Sequence, residues 1–418
     1  MKYTFLILCS AFMCFLSCDD DDMNVSTQGP IPVDVNVINQ FNWEAFIDES
    51  TVDELEDFSI RYPVIQEDLV VYSNSDRNGF TGLDRITGFE RWNNYDQMDL
   101  GLISEEPTVV SGTMHLANEN TFKSIDLQTG AILNDLTLNL EGEEELSETI
   151  GVFEDKLYLI VEEPNGINVT SEWLVGPLNN PSAASFVRFN QDDVGEIGKP
   201  VFHVNSNNEV LMIYSSSLPR ASIRSYNLTT DQIEWQVDDF DSSGQVSNIE
   251  IDEGQIYVAV GLSIMSLDSN TGEEIWSQTH FLNDLDDADG LVLDANRVYA
   301  VGSEVYIIER STGELVWSAQ GFEKNNATIP AVRNGFRPII YQGNLYFSEM
   351  SGLLIWVNLD DLQIDYFEIP SDTVTEIDGD PVRLDELDFR NSGLAVSSDG
   401  IIFTYDRFRF LSFETPMF

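Results

Sequence analysis

The sequence predicts an all-β protein in which four-stranded sheets repeat around a closed ring, and three observations predict it. A ten-residue motif recurs, made of a short apolar strand ending in Asp, two or three polar residues, Thr-Gly, and a second strand carrying Trp. The copies keep a period, with Gly88 and Gly130 lying 42 residues apart and Gly272 and Gly313 lying 41 apart. Short Leu/Val-Tyr strands precede the motif, as in Leu157-Tyr158, Ile256-Tyr257, Val298-Tyr299 and Leu345-Tyr346. About 40 residues with four short strands per unit is the pattern of a β-propeller blade.

The first copy runs Leu83-Asp84-Arg85-Ile86-Thr87-Gly88-Phe89-Glu90-Arg91-Trp92. Others run from Ile125-Asp126 to Thr129-Gly130, from Leu267-Asp268 through Thr271-Gly272 to Trp276, and from Ile308-Glu309 through Thr312-Gly313 to Trp317. Two looser copies keep the frame, Tyr226-Asn227 to Trp235 and Val357-Asn358 to Tyr366. An Asp or Asn side chain caps the backbone N–H groups of the turn that follows it. Glycine takes the left-handed conformation that a side chain resists. The Trp, four residues later, offers a large flat surface to wedge between neighbouring sheets. A degenerate unit runs from Gly151 to about Asp193, with Phe189-Asn190 near its expected turn, and a last unit runs from Leu394 to Thr415. The expected count is eight four-stranded blades, or seven if the degenerate unit merely extends its neighbour. The chain ends before the last unit is complete. Closure therefore needs a strand from the N-terminal region, where Val37 to Ile47 is available, and a closed ring leaves no long sheet edge exposed. Helical periodicity is scarce, and only Trp43 to Phe58 could hold a helical turn or two.

The expected domains are a signal peptide over 1–17, an acidic tether over 18–39 and the propeller over 40–418. Lys2 precedes an apolar run, Phe5 to Phe15, too short to span a bilayer as a helix. It ends in Ser17-Cys18, followed at once by Asp19-Asp20-Asp21-Asp22. Cleavage before Cys18 removes Cys9 and Cys14 and leaves one thiol, with no internal disulfide. A chain this long buries enough surface to fold without one. The net charge of −53 opposes binding to phosphate backbones and to anionic lipid surfaces. It fits a solvated acidic surface better than a set of cation sites. As a flexible coil, the roughly 20 residues after Cys18 would span ~25 Å.

The repeated Leu-Asp-x-x-x-Gly-x-x-x-Trp with its upstream Leu/Val-Tyr strand resembles the tryptophan-docking repeat of PQQ-dependent dehydrogenases and their non-catalytic relatives. Those relatives include the lipoprotein subunit of the outer-membrane β-barrel assembly machinery. The resemblance covers residues 65–418. It implies that Trp92, Trp235, Trp276 and Trp317 each dock against the next blade, while Asn134 replaces the Trp of the second copy. The enzymes of this family carry an adjacent cysteine pair, a catalytic Asp and Glu and Asn ligands for calcium. No cysteine pair and no matching motif for the other groups occurs in this sequence, so the resemblance carries over the architecture and no catalytic or cofactor residues. Ser17-Cys18 likewise resembles the lipobox of bacterial lipoproteins, which implies a lipid on Cys18. In one bacterial lineage an acidic run like Asp19, Asp20, Asp21 and Asp22 resembles the export signal of surface lipoproteins.

Outside the repeat, chemistry is sparse. His115, His203 and His280 form no ligand pattern. Asp286, Asp287 and Asp289, before Gly290, are the candidate metal ligands, with calcium as the cation. In the register ending on Gly290, however, Leu285 takes the first ligand position and Asn296 the last, so a solvated inter-blade loop is the expected role. The excursion Glu162 to Ser185 is longer than ordinary loops. Its centre, Trp173-Leu174-Val175, is either a partner-binding tip or local core. The expected function is a non-catalytic, lipid-anchored scaffold at the outer membrane, facing outward, that binds envelope or outer-membrane proteins in assembly or export, with no cofactor. The alternatives are a quinoprotein dehydrogenase with a diverged site and a glycan- or metal-binding surface receptor.

Overall fold

The structure is a computed structural model. It describes residues 27–28, 31–32, 34–37, 41–46, 62–74, 79–95, 97, 106–165, 168–195, 197–216, 221–238, 240, 246–260, 263–278, 290–302, 304–319, 322–324, 327–329, 337–348, 354–368, 374–377, 380–383, 393–405 and 409–415. Eight four-stranded antiparallel blades form a ring, and the one helical element among the described residues is a single 3-10 turn, Ala183–Ser185.

Blades 1 to 8 span residues 64–93, 108–137, 145–194, 201–237, 250–278, 290–319, 339–368 and 394–414. Within each, the chain moves outward from an inner strand at the axis to an outer strand at the rim. The degenerate unit is a blade in its own right, which excludes the seven-blade count. Phe189 and Asn190 lie in its outer strand Val187–Val194, not in a turn. Its excursion is mostly strand, Lys156–Asn165 paired with Asn168–Pro177 along their whole length. Alternating residues along these two strands bury two apolar faces, Leu157, Leu159 and Leu174 toward blade 2 and Tyr158, Ile160 and Trp173 toward blade 4, which an irregular loop could not do.

Blade 8 takes its outer strand from the N-terminal region. Trp43–Phe46 pairs antiparallel with Arg409–Glu414. The expected closing strand is thus present, and the described start of the 43–58 stretch is strand rather than helix. The segment before it is also paired. Thr27–Gln28 adds a parallel strand outside Ser318–Ala319 of blade 6, Ile31–Pro32 pairs with Phe322–Lys324, and Asp34–Val37 runs parallel outside Ile364–Glu368 of blade 7. These residues are therefore not a free coil, because the unpaired edges of blades 6 and 7 offer their backbone hydrogen bonds.

The core is distributed. Eight hydrophobic clusters are present, one at each blade-to-blade junction. A side chain at Gly82 would strike the Trp92 indole of its own blade.

Candidate functional site

All seven tryptophans of the chain stand at junctions. In four of them the geometry is the same. The indole nitrogens of Trp43, Trp92, Trp235 and Trp276 donate to the carbonyls of Arg85, Leu127, Ser269 and Arg310 of the next blade, at 2.9–3.1 Å. Each acceptor follows the Asp or Glu that opens the motif turn. The indole faces lie on Gly88, Gly130, Gly272 and Gly313, where an added Cβ would come within 2.3–2.7 Å of a ring atom. The glycine is therefore required twice, once for its positive φ of 70–75° and once for the indole seated on it. The turn is shaped by the residue that opens it. Asp84 Oδ1 accepts from the Thr87 amide at 2.9 Å and Asp268 Oδ1 from the Thr271 amide at 2.9 Å. The Arg91 guanidinium, with the Thr87 amide, holds the Asp84 carboxyl well below the usual range.

A β-bulge aims the ring. In blades 1, 2, 4, 5 and 6 the register slips one residue before the docking position, at Arg91, Leu133, Glu234, Ile275 and Val316. The extra residue turns the strand and adds twist, which swings the following side chain toward the neighbour.

Trp92, Trp235, Trp276 and Trp317 are thus where the repeat placed them. Trp317 is buried against Leu345, Ile355 and Ile364 of blade 7, yet its indole nitrogen has no hydrogen-bond partner among the described residues. Leu362, with φ +60°, occupies the glycine position, and the Leu359 carbonyl accepts from Arg297 instead, at 3.4 Å. No motif contains Trp43, because its strand precedes the first repeat and joins blade 8 only on closure of the ring.

Trp173 settles the other alternative. It is 0% exposed and meets Tyr214 of blade 4 edge-on with centroids 5.6 Å apart. Leu174 is buried on the opposite face, toward blade 2, and Val175 packs toward blade 4. These three residues are local core, not an exposed partner-binding tip. The hairpin is long enough to lay its middle, rather than its tip, between blades. Trp356 does the same between blades 7 and 8, against Phe367 at 4.5 Å.

The axis holds a second group of residues that no motif announced. Two positions before the inner strands of blades 1, 2, 4, 5 and 7 stand Tyr62, Glu106, Lys199, Asn248 and Arg337, and all five line one cavity of about 720 Å³. Arg337 pairs with Glu250, and the Asn248 amide donates to the same carboxylate at 2.7 Å. Burial raises the Glu250 carboxyl above its ordinary range; Arg337 opposes this and Glu106 adds to it. The signal in the sequence is positional, since equal offsets from successive inner strands converge on the axis of a ring. The arrangement can hold a polar group by charge and hydrogen bonds. Among the described residues no group of three or more His, Cys, Asp or Glu is placed to hold a metal ion. Asp286, Asp287 and Asp289 lie outside the described residues, as do Cys18 and Asp19 to Asp22. His115 is structural. It is buried, 3.0 Å from the Ser124 hydroxyl, and burial lowers its pKa to about 4.

The rim is uneven. Phe89 is 74% exposed, Val187 67% and Leu133 53%, with Ile86, Ile233 and Ile275 also out in solvent. These belong to blades 1 to 5, whose outer strands carry no added strand among the described residues, while Val316, on the covered outer strand of blade 6, is 37% exposed.

Residues 219–409 match the family model described as outer membrane protein assembly factor BamB. No curated protein sequence matches the chain. Among solved structures, BamB from Moraxella catarrhalis is 13% identical, with a TM-score of 0.54 over 91% of this chain and 98% of that one. The computationally designed protein Ika8 is 12% identical with a TM-score of 0.57, over 92% of this chain and 100% of that one. Quinohemoprotein alcohol dehydrogenase from Comamonas testosteroni is 10% identical with a TM-score of 0.56, over 90% of this chain and 76% of that one. At these identities the structural likeness speaks for fold alone.

Proposed function

We propose that this eight-bladed β-propeller, whose residues 219–409 match a PQQ-like family model, is a non-catalytic scaffold, anchored in the outer membrane through lipid on Cys18 and facing outward. On this reading it holds envelope or outer-membrane proteins through its rim, in their assembly or export. The observation that carries the proposal is the division of the rim. Blades 6 and 7 have their outer edges covered by the chain's own N-terminal strands, while blades 1 to 5 leave theirs uncovered, with Leu133, Val187, Ile233 and Ile275 exposed on the outer strands of blades 2 to 5 and Ile86 and Phe89 exposed in the turn before that of blade 1. Open strand edges and apolar side chains are the two things a protein partner recognises on a sheet. The family model matched over 219–409 is named for an outer-membrane assembly factor, which supports the same reading. Asp19 to Asp22 would serve as the export signal.

Photocrosslinking amino acids at Phe89, Leu133, Val187 and Ile233, introduced one at a time into the membrane-bound protein, test the scaffold. A discrete envelope protein captured from at least one of these positions is expected. No crosslink from any of them in intact cells would overturn the reading. PQQ and calcium added to the purified protein should produce neither cofactor absorbance nor dye reduction, and turnover would move the protein to the dehydrogenases. Protease shaving of intact cells should remove the protein, and replacement of Asp19–Asp22 by Ala should protect it.

A further inference from the structure

The N-terminal strands do more than seal two edges. From Thr27 to Phe46 the chain follows the rim across three consecutive blades, pairing with the outer strand of blade 6, then with Phe322–Lys324, then with the outer strand of blade 7, and finally completing blade 8. Each contact is backbone pairing in a defined register, beginning with Thr27 against Ser318. The first described residue after Cys18 is Thr27, at the rim of blade 6 and nine residues along the chain. Fully extended, nine residues reach about 30 Å. A compact chain of 418 residues is about 55 Å across. The leash is thus shorter than the ring is wide.

We propose that this strap fixes which side of the propeller meets the lipid surface: the rim of blades 6 and 7 lies against the membrane, and the rim of blades 1 to 3 points away from it. The proposal rests on lipidation of Cys18. A leash attached at the axis, or a free tether of the whole N-terminal segment, would let every blade visit the bilayer equally. A leash pinned to one rim does not, and the net charge of −53 opposes any closer approach of the remaining surface to anionic headgroups. The uncovered edges of blades 1 to 3, with Phe89, Leu133 and Val187 exposed there, then stand on the side opposite the anchor, clear of the bilayer and open to protein partners.

The repeat supplies a matched pair of probes. Gln128 and Ser311 are exposed and occupy the same position of the motif turn, two residues after Asp126 and Glu309. They belong to blades 2 and 6, on opposite sides of an eight-membered ring. With Cys18 acylated, Gln128→Cys and Ser311→Cys each carry one free thiol for a fluorescent maleimide. Full-length lipidated protein in vesicles of zwitterionic and anionic phospholipid bearing an acceptor headgroup dye should show energy transfer several-fold stronger from 311 than from 128. Equal transfer from both, in protein that floats with the vesicles, overturns the orientation while leaving the anchor intact. Dye uptake by the chain without an added cysteine, or failure to float, overturns the anchor and the orientation with it. The double variant Gln28→Pro, Val35→Pro removes backbone donors from the strap and leaves the blades' own strands unaltered. Its two signals should converge. A persistent difference in a variant that keeps its native melting transition would show that the strap does not set the orientation.

Discussion

The junction between blades 5 and 6 and the junction between blades 6 and 7 use the same residue to different effect. Trp276 rests on Gly313, donates to the Arg310 carbonyl at 2.9 Å, and is joined by Gln278, which donates to the Gly313 carbonyl at 2.9 Å. At the next junction Leu362 stands where the glycine would be and packs against the cluster that holds Trp317, whose ring nitrogen has no partner among the described residues. At one junction the indole itself makes a directed hydrogen bond; at the other the ring contributes area, and the turn carbonyl is met by Arg297 at 3.4 Å instead. Both are buried, so the difference lies in how narrowly the angle between blades is specified, not in how much water is excluded. A glycine lets the indole come down onto the turn until its N–H reaches a carbonyl. A leucine holds the ring off and substitutes its own apolar surface.

The largest expected effects test whether both kinds of junction rest on the buried ring. Trp276→Ala and Trp173→Ala should each cost about 3–5 kcal/mol, since each empties a packed site the size of an indole. Urea unfolding midpoints compare them. A small loss for Trp173 alone would mean that its hairpin can be detached from the ring. Acid should next single out blade 2, which lacks a docking Trp and buries His115 instead. Because burial lowers the His115 pKa from 6.5 to about 4, the unfolded state binds the proton first as pH falls. Stability from this residue is full above about pH 6.5 and is lost progressively toward pH 4, by about 3 kcal/mol in all. His115→Asn should flatten the stability profile in that window; an unchanged slope would mean that the ring is already accessible to protons.

Gly313→Leu copies the blade 7 turn into blade 6. The Cβ falls 2.7 Å from the Trp276 ring at a positive φ, so overpacking should cost about 1–3 kcal/mol, measured by thermal melting. A neutral outcome would show that the leucine turn is an equal solution rather than a looser one. The smallest effect sharpens the comparison most. Trp276→Phe loses a hydrogen bond and strands a buried carbonyl, whereas Trp317→Phe loses only area. The first should cost more than the second by about 1 kcal/mol. Equal losses would mean that the directed bond contributes nothing to the junction.

Much of this was legible in the residues. Asp, Thr-Gly and Trp at fixed offsets are local requirements of one turn, so six copies disclose the blade, its outer strand and four docking residues without any contact information. The unit at 145–194 was harder to place. With no Thr-Gly turn, its sequence offers no anchor for register, so it points Phe189 to a turn and does not decide between core and tip for Trp173. Once a hairpin exceeds the repeat length, sequence position no longer says which face of the sheet a residue occupies, because a shift of one residue reverses every side chain.

What the sequence determined by itself was therefore everything set by near neighbours along the chain: the strand period, the capped turn and the need for glycine in it. Only the tertiary structure decided what depends on closing the ring. Closure brings Trp43, far upstream of any repeat, onto Gly88, making it a docking residue that no motif contains. It carries Tyr62, Glu106, Lys199, Asn248 and Arg337 from five separate units to one axial cavity. It also lays residues 27–37 along the rim of blades 6 and 7. The physical reason is the same in all three. Contacts across a ring are fixed by the angle each blade makes with the next, and those angles belong to the packed junctions rather than to any stretch of chain.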